Sequence, residues 1–394
     1  MYDFATLHPA FGSGAPMWGR LAKFGEPSPD AIDFGVAEMK FRLAPEIASA
    51  LERHVTEGTF GYAGAPESLK REILSWMERR HNWNIEPDWI LQTYGLVLAV
   101  GCCVRALSEP GDGILLNFPS YPPFYRAIEQ NGRRLVRSEL VIRDGKYVMD
   151  YEDMERKIEQ ENVKLYILCS PQNPTGRVWT REELERVGEI CLRHGVRVIS
   201  DEIHFDLVYP GSEHCVFGSI SESFAANSVV LTAPSKTFNI AGMTISNVIV
   251  SDPDIRGRVA SVISRDMGGY TNSFGYAACE AAYKFAEPWL NECIKVLEGN
   301  CRLFTEFLRE RVPVFTCHMP EGTYLAWMDC RRAGLEKAEL DGFLFNDAHF
   351  YSEGGEVFGS GYELFHRVNL ACPRQYVEKA LLRLEAAAKA RGLI

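Results

Sequence analysis

The chain has 394 residues, 46% of them hydrophobic and 24% charged, which is typical of a globular protein large enough for two domains. Its net charge of −11 at pH 7 argues against nucleic acid or an anionic membrane surface as the main partner. The N-terminus lacks the basic and apolar regions of a signal peptide, and no apolar run is long enough to span a membrane. Eleven scattered cysteines without a C-x-x-C pair indicate reduced thiols, so we expect a cytoplasmic protein without a membrane partner.

Between about residues 88 and 252, short β-forming runs alternate with amphipathic segments such as "TREELERVGEICLRHG", which opens at Thr180 and ends at Gly195. Continuous apolar strands between helices predict a mostly parallel sheet that is buried on both faces. Seven runs fit such strands: "WILQTYG", "GILLNFP", "RRLVRSEL", "KLYILCS", "VRVISDE", "SVVLTAP" and "TISNVIV". We therefore predict an α/β fold with a seven-stranded sheet in a large domain at 46–285.

The pattern changes from about residue 286 onward. The stretch "EPWLNECIKVLEGNCRLFTEFLRERV" predicts one long helix, and "FTCHMPEGTYLAWMD" and "FHRVNLA" are β-like. A final helix is predicted from Pro373. We predict a smaller α+β domain at 286–394, with the N-terminal segment 1–45 packing on it.

Ligands of open α/β sheets bind beyond the carboxyl ends of the strands, so the residues at those ends are candidates. After "WILQTYG", Gly95 opens a helix whose first-turn amides at Leu96, Val97 and Leu98 could hold an anion. The same turn is also common for purely structural reasons. Tyr121 in "FPSYPPFY" could face a ligand or simply be wedged in a rigid turn.

Polar residues follow the next two strands. In "CSPQNPTGRVW", Asn173 could belong to a site or only to a turn. Asp201 ends the strand "VRVISDE", and a carboxylate there needs a cationic or N–H partner. Asp201 and His204 could bind a metal, but no third ligand stands at useful spacing, so we expect no metal site.

Two cations stand in apolar surroundings. In "SVVLTAPSKTFNIAGM" a β-run delivers Lys236 among uncharged neighbours, where a lysine is costly unless it acts as a nucleophile. Arg367 lies inside the strand-like "FHRVNLACPR", where it could form a structural ion pair or bind a carboxylate. A lysine for a Schiff base, the aspartate Asp201 for a pyridinium nitrogen, an anion cup and an arginine together suit pyridoxal 5′-phosphate and an amino-acid substrate.

The motifs "CSPQNPTGRVWTREEL", "HGVRVISDEIH", "APSKTFNIAGM" and "RVNLACPR" resemble those of the fold-type I pyridoxal-phosphate enzymes, the class I/II aminotransferase superfamily. Within it the chain is most similar to the MalY/PatB group of cystathionine β-lyases, or C–S lyases. The resemblance covers nearly the whole chain. It implies an aspartate aminotransferase-like fold, with the cofactor in the domain at 46–285.

The resemblance also implies roles for the residues around the cofactor ring. Lys236 forms the Schiff base and then acts as the base for the substrate Cα proton. Asp201 pairs with the pyridine nitrogen, and Tyr121 stacks on the ring. Asn173 and His204 lie near the phenolic oxygen.

Further roles concern the cofactor phosphate and the substrate. The amides of Val97 and Leu98 and the hydroxyl of Ser235 are expected to hold the phosphate. Tyr62, in "FGYAG", matches a tyrosine that reaches the phosphate of a neighbouring subunit, which implies a homodimer with shared active sites. Arg367 is expected to bind the substrate α-carboxylate.

The chain departs from the group in two places. The resemblance puts Val36 and Ala37 at the substrate pocket, but their segment reads "FGVAEMKF" where the group has a Trp-Val-Ala-Asp-Met-Asp-Phe-like stretch. Gly35 thus replaces a bulky residue, and Glu38 and Lys40 stand at aspartate positions. Before the arginine, "GYELFHR" replaces a Gly-x-Gly-Phe pattern. Either change could alter substrate choice.

The resemblance favours a β-lyase that cleaves cysteine thioethers such as cystathionine. An aminotransferase would use the same lysine, aspartate and arginine, so the motifs leave that alternative open. A non-catalytic or regulatory protein would lack the lysine or the arginine, or would carry an added helix-turn-helix domain. This chain shows neither feature, so we expect an enzyme.

Overall fold

The computed structural model describes residues 2–7, 32–58, 60–267 and 271–394. Part of the N-terminal segment expected to pack on the smaller domain, residues 8–31, therefore lies outside the described residues. The chain forms two compact units. The larger contains 43–173 and 177–290, and the smaller contains the described parts of 1–42 together with 174–176 and 291–394.

The larger unit is built from helices and one sheet. Its helices are α1 Pro45–Glu57, α2 Glu67–His81, α3 Leu96–Leu107, α4 Pro122–Gln130, α5 Tyr151–Gln160, α6 Arg181–Arg193, α7 Glu222–Ala226, α8 Pro234–Thr237, α9 Pro253–Met267 and α10 Ser273–Phe285. Its strands are β1 Ile90–Thr93, β2 Gly113–Phe118, β3 Arg134–Arg143, β4 Lys146–Met149, β5 Val163–Cys169, β6 Arg197–Asp201, β7 Ser228–Thr232 and β8 Ser246–Ile249. Single 3₁₀ turns occur at Pro87–Trp89, Phe217–Ser219 and Ala241–Met243.

The strands form one sheet in the order β1-β8-β7-β6-β5-β2-β3-β4. The strands from β7 through β3 in that order pair in parallel, whereas β1, β8 and β4 join antiparallel. This confirms the predicted α/β fold with a mostly parallel sheet. The sheet has eight strands rather than the seven expected. The additional strand β4 is short and pairs with β3 through a tight turn at Asp144 and Gly145, both with positive φ.

Burial explains why these sequences are strands. Every residue of β2, β7 and β8 is buried, as expected for strands covered on both faces by helices. The predicted helix after Thr180 is confirmed as α6, where Thr180 and Glu183 form a reciprocal capping box. Such a cap stabilises a helix start by about 1 kcal/mol. Gly195, at φ +66°, follows the helix end and turns the chain into β6.

The smaller unit has a four-stranded antiparallel sheet in the order β11-β12-β10-β9. Its elements are α11 Glu287–Arg311, β9 Thr316–Cys317, β10 Leu325–Asp329, α12 Lys337–Gly342, β11 Glu353–Gly354, β12 Phe365–Asn369 and α13 Arg374–Ala390, with short helical turns at Arg331–Ala333, Phe343–Asp347 and Gly355–Phe358. The long helix and the final helix after Pro373 are thereby confirmed.

The N-terminal segment at 32–42 is hydrogen-bonded to the C-terminal part of the same unit. The Asn369 amide donates to the Phe34 carbonyl at 2.6 Å, and the Lys40 amide donates to the Ala371 carbonyl at 2.7 Å. Within the described ranges, no helix combines the length and the apolar character that crossing a membrane requires.

Candidate active site

The candidate residues of the larger unit follow the carboxyl ends of neighbouring parallel strands. In β5 and β6, Cys169 lies opposite Asp201, and in β6 and β7, Asp201 lies opposite Leu231. The chain after β7 reaches Lys236 in the single turn of α8. Three consecutive strands therefore deliver their following loops to one edge of the sheet, where an α/β fold binds its ligand.

Asp201 and Lys236 lie close enough to interact electrostatically. Burial raises the pKa of Asp201 to about 7, and the neighbouring Glu202 also raises it. The Ile203 amide, which donates to Asp201 Oδ1 at 3.0 Å, and the charge on Lys236 lower it, but do not offset the burial. The carboxyl is 2% exposed. Asp201 is therefore a buried acid whose charged form is favoured by a nearby cation or N–H donor.

The apolar surroundings of Lys236 in the sequence led us to expect a fully buried lysine, but the residue is only half-buried. The difference arises because the lysine stands on a turn beyond the sheet edge and not within a strand. Pro234 begins this turn and Thr237 ends it, and both are buried, whereas Ser235 is half-buried like the lysine. The turn thus rests on buried residues while it presents Ser235 and Lys236 outward.

Asn173, His204 and Tyr121 lie in loops that follow β5, β6 and β2. Asn173 and His204 are buried, with exposed fractions of 5% and 2%. The backbone N–H of Asn173 donates to the Cys169 thiol, and this hydrogen bond holds the loop against the end of β5. Tyr121 is half-buried at the start of α4, and its ring meets Phe124 edge-on at 5.4 Å.

The predicted anion-binding turn precedes α3. Gly95 has φ +89°, a conformation that side chains other than glycine rarely adopt, and the helix begins at the next residue. Val97 and Leu98 in the first turn are 47% and 37% exposed although they are apolar. Tyr62, between α1 and α2, is 99% exposed. We call these three exposed residues the rim, in contrast to the buried Asp201.

Arg367, Val36 and Ala37 are gathered in the smaller unit. Arg367 on β12 is 5% exposed, donates from Nη2 to the Gly35 carbonyl at 2.8 Å, and stacks over Phe358 at 4.9 Å. Asn369 Nδ2 donates to the Val36 carbonyl at 2.5 Å. Arg367 and the 35–37 backbone are thus brought together.

The two segments that depart from the related group also have defined contacts. Lys40 is buried, and its Nζ lies 3.1 Å from Glu38 Oε1, so the two substituted charges form an ion pair with each other. The Glu363 carboxylate accepts the Gly361 amide at 3.0 Å, and Tyr362 packs against Trp327 at 6.1 Å between ring centroids.

Sequence reasoning missed Asp206 and Thr237. Thr237 donates its hydroxyl to Asp206 Oδ2 at 2.7 Å, directly beside Lys236 in the chain. The available signal was an acid between Phe205 and Leu207 in "DEIHFDL", since a carboxylate in an apolar run requires buried donors. The donors come from distant parts of the chain and could not be identified from spacing.

Comparisons with known proteins agree with this geometry. The family model described as aminotransferase class I and II matches residues 29–384. Cystathionine beta-lyase PatB of Bacillus subtilis (strain 168) is 40% identical over 386 residues, which cover 98% of this chain and 99% of that protein. Protein MalY of Escherichia coli (strain K12) is 31% identical over 393 residues, covering 99% of this chain and all of that protein (100%).

A solved structure is also similar to this chain over nearly its whole length. Cystalysin from Treponema denticola, whose crystal structure contains a pyridoxal 5′-phosphate cofactor, superposes with a TM-score of 0.97 at 38% identity. The match covers 99% of this chain and 100% of that one. The resemblance seen in the sequence motifs is confirmed. With its fold, its strand-end lysine and aspartate, and a family match over most of its length, this chain belongs to the class I and II aminotransferase family.

Proposed function

We propose that the protein is a pyridoxal-phosphate-dependent carbon–sulfur β-lyase that cleaves L-cysteine thioethers such as cystathionine to a thiol, pyruvate and ammonia. The observation that carries the proposal is the electrostatic contact between buried Asp201 and Lys236 at neighbouring strand ends. Similarity over nearly the full chain to cystathionine beta-lyase PatB supports this reaction within the family.

The cofactor is pyridoxal 5′-phosphate, and the donor set of the larger unit fits it. Burial makes the charged form of Asp201 costly, and a protonated pyridine nitrogen is the kind of partner that restores it. The exposed amides after Gly95 and the half-buried Ser235 hydroxyl suit a phosphate. A ring with a basic nitrogen at one end and a phosphate at the other matches both features.

Each candidate residue then has a role in holding the cofactor. The amides of Val97 and Leu98 and the hydroxyl of Ser235 bind the phosphate. Tyr121 lies against the ring face, as an aromatic side chain at the start of α4 can.

Asn173 and His204 are the two polar residues assigned to the phenolic oxygen. Both are buried in the loops after β5 and β6, so water has little access to either side chain. A buried amide or imidazole donor in such a loop would fix the orientation of an anionic oxygen without a metal. We assign them to orientation of the ring rather than to proton transfer.

When bound, the cofactor supplies an electron sink for the electrons of the broken Cα–H bond. Asp201 holds the proton on the pyridine nitrogen, which makes that sink effective. Lys236 takes the proton from the substrate Cα as a general base. The C–S bond then breaks, the thiol leaves from Cβ, and the released enamine takes up water to give pyruvate and ammonia.

Arg367 binds the substrate α-carboxylate with its guanidinium, because a planar fork of N–H donors matches a carboxylate. One of its nitrogens already donates to the Gly35 carbonyl, which fixes the plane of the group. The backbone at Val36 and Ala37 adjoins the arginine through the same segment and would contact the substrate. Where the related group has two aspartates in that segment, this chain has Glu38 and Lys40, which form an ion pair.

An aminotransferase is the second candidate, since the family model carries that description. The two reactions share the residues assigned above and differ in whether a β leaving group departs. Purified holoenzyme mixed with L-cystathionine without any keto acid separates them. Continuous pyruvate release over many turnovers is expected of the lyase. An aminotransferase would instead release no pyruvate. Its reaction would stop after one equivalent of substrate per site and resume when a keto acid is added.

We also propose that two copies form a homodimer with shared active sites in the cytoplasm. The exposed apolar residues Val55, Phe60 and Tyr62 suit a surface that another copy covers. All eleven cysteines are described and none is in a disulfide, which suits a reducing compartment. Light scattering on the purified protein is expected to give twice the chain mass of 44.4 kDa. A mass of one chain would refute the dimer.

A further inference from the structure

The loop after β6 carries a second carboxylate that the mechanism does not use. Asp206 lies five residues beyond Asp201, and its side chain is 0% exposed. A buried carboxylate is tolerated only when hydrogen-bond donors satisfy it. The donors that satisfy Asp206 come from two separate elements, α2 and α8.

The first group of donors belongs to α2. Trp76 Nε1 donates to Asp206 Oδ1 at 3.1 Å, His81 Nε2 lies 2.8 Å from the same oxygen, and Arg80 Nε lies 3.3 Å from it. Because an ionised carboxylate only accepts, the His81 Nε2 is assigned as the donor. Burial by itself would raise the pKa of Asp206, but the hydrogen bond and charge of His81 and the charge of Arg80 hold it below its usual value.

The second donor is the Thr237 hydroxyl, 2.7 Å from Asp206 Oδ2. Thr237 is fully buried and follows Lys236 directly, as the last residue of α8. This helix has four residues and lacks a side-chain cap at Ala233, so it is too short to fix its own geometry. Its orientation must come from tertiary contacts such as this hydrogen bond.

We propose that Asp206 is a positioning residue that fixes Lys236 relative to Asp201 through the Thr237 hydroxyl. The loop 201–206 carries Asp201 at one end. At its other end, Asp206 is held by α2 and accepts the hydrogen bond of Thr237, in the turn that carries Lys236. Movement of the lysine relative to the aspartate therefore requires the Asp206–Thr237 hydrogen bond to break. The inference rests on the proposed function, since it concerns how the residues of that reaction are held.

The simpler reading is that Asp206 only anchors α2 to the loop. The two readings differ at Thr237, which contributes one hydroxyl to Asp206 and is not part of α2. If Asp206 only anchors α2, loss of that hydroxyl changes neither the bound cofactor nor the reaction. If Asp206 positions Lys236, loss of the hydroxyl changes both while the fold remains.

Thr237→Val in the holoenzyme is the test, because it removes the hydroxyl and keeps the shape. We expect kcat to fall about 10- to 100-fold, as small misplacements of reacting groups do, with KM within twofold. The visible circular dichroism of the bound cofactor should change, since it reports how the ring is held at Lys236. Thr237→Ser keeps the hydroxyl and should restore both. Thr305→Val, which removes a helix-surface hydroxyl on α11, is the control.

Asp206→Asn keeps an acceptor for His81 and Trp76 and should leave the protein folded. Combined with Thr237→Val, it should lower kcat less than twofold beyond Thr237→Val alone, because both changes act through one hydrogen bond. The inference is overturned if Thr237→Val matches the unchanged protein in kcat and in circular dichroism. A large further loss in the double variant would also overturn it, since Asp206 would then act by another route.

These outcomes are separate from the outcome for the proposed function. Circular dichroism of the bound cofactor requires no turnover. An unchanged protein that binds cofactor but releases no pyruvate would refute the lyase, and the Thr237 variants would still decide the role of Asp206 by their spectra.

Discussion

The buried and the exposed candidate residues differ in what fixes them. Asp201 and Arg367 are almost fully buried, and hydrogen bonds from or to their own unit hold them in place. Tyr62, Val97 and Leu98 are largely exposed although their side chains are apolar or aromatic. A buried polar group is costly unless it has a hydrogen-bond partner or a counter-charge, whereas an exposed side chain gains little stabilisation from the rest of the chain.

The contrast indicates that the buried and the exposed residues have different roles. In the proposed reaction the buried groups act on the reacting atoms, where a fixed charge in a low dielectric has its largest effect. The exposed rim would be completed by what binds to it, namely the cofactor phosphate and a second copy of the chain. Substitutions should therefore have large effects at the buried groups and small effects at the rim.

The largest effect is expected for Lys236→Ala. This change removes both the attachment point of the cofactor and the base for the Cα proton, so kcat should fall on the order of 10⁴-fold or more. Steady-state pyruvate release from cystathionine measures it. Lys284→Ala on α10 removes a lysine outside the strand-end loops and is the matched control. Substantial activity in Lys236→Ala would refute the role of this lysine as attachment point and base.

Asp201→Asn should lower kcat by roughly 100- to 1000-fold, because the amide cannot hold a proton on the pyridine nitrogen. Asp254→Asn, an exposed aspartate at the start of α9, should leave kcat unchanged. Retention of full activity by the Asp201 variant would show that this carboxylate does not act on the cofactor.

The same substitution has a second consequence in cofactor-free protein. Burial raises the Asp201 pKa from 3.8 to about 7, so the folded state binds more protons than the unfolded state between those pH values. The free energy of unfolding contributed by this group therefore falls as pH rises from about 4 to 7, by roughly 3–5 kcal/mol in total. Denaturant unfolding at pH 5 and pH 8 should show the part of this fall above pH 5, roughly 3 kcal/mol, in the unchanged protein and a smaller fall in Asp201→Asn. Equal falls in both would contradict the burial argument.

Arg367→Lys should act on substrate binding more than on the chemical step. Loss of a bidentate contact to a carboxylate costs about 1.5–3 kcal/mol, so KM should rise roughly 10- to 100-fold. Arg331→Lys, an exposed arginine outside the strands, is the control. A normal KM with a much lower melting temperature would make Arg367 a structural residue of β12 instead.

The smallest effect is expected at the rim. Tyr62→Ala should weaken cofactor affinity several-fold, as loss of one hydrogen bond of about 1 kcal/mol would. Mixed dimers of Tyr62→Ala and Lys236→Ala chains sharpen the test. If Tyr62 serves the partner's site, each mixed dimer contains one intact site and cofactor affinity at that site returns to normal. A persistent defect in mixed dimers would place Tyr62 in its own chain's site.

Several features of the sequence predicted the structure because they are local. Apolar runs predicted the seven main strands, and Thr180 marked the start of α6. Motifs at strand ends identified Asp201 and Lys236, because parallel strands bring their carboxyl ends to one edge. The strand β4 was missed although Asp144 and Gly145 form a hairpin turn, since a strand of only four residues, two of them buried, gives little periodicity.

The sequence by itself determined the fold class, the family and the candidate residues at the strand ends, because those depend on short-range pattern and on motif identity. Only the tertiary structure decided the environment of those residues. It made Asp201 a buried acid, left Lys236 half-exposed, paired Lys40 with Glu38, and joined Asp206 to Trp76, His81 and Thr237. Burial and hydrogen bonding can join groups far apart in the chain, such as Trp76 and Asp206, and spacing along the chain carries no information about which of them meet.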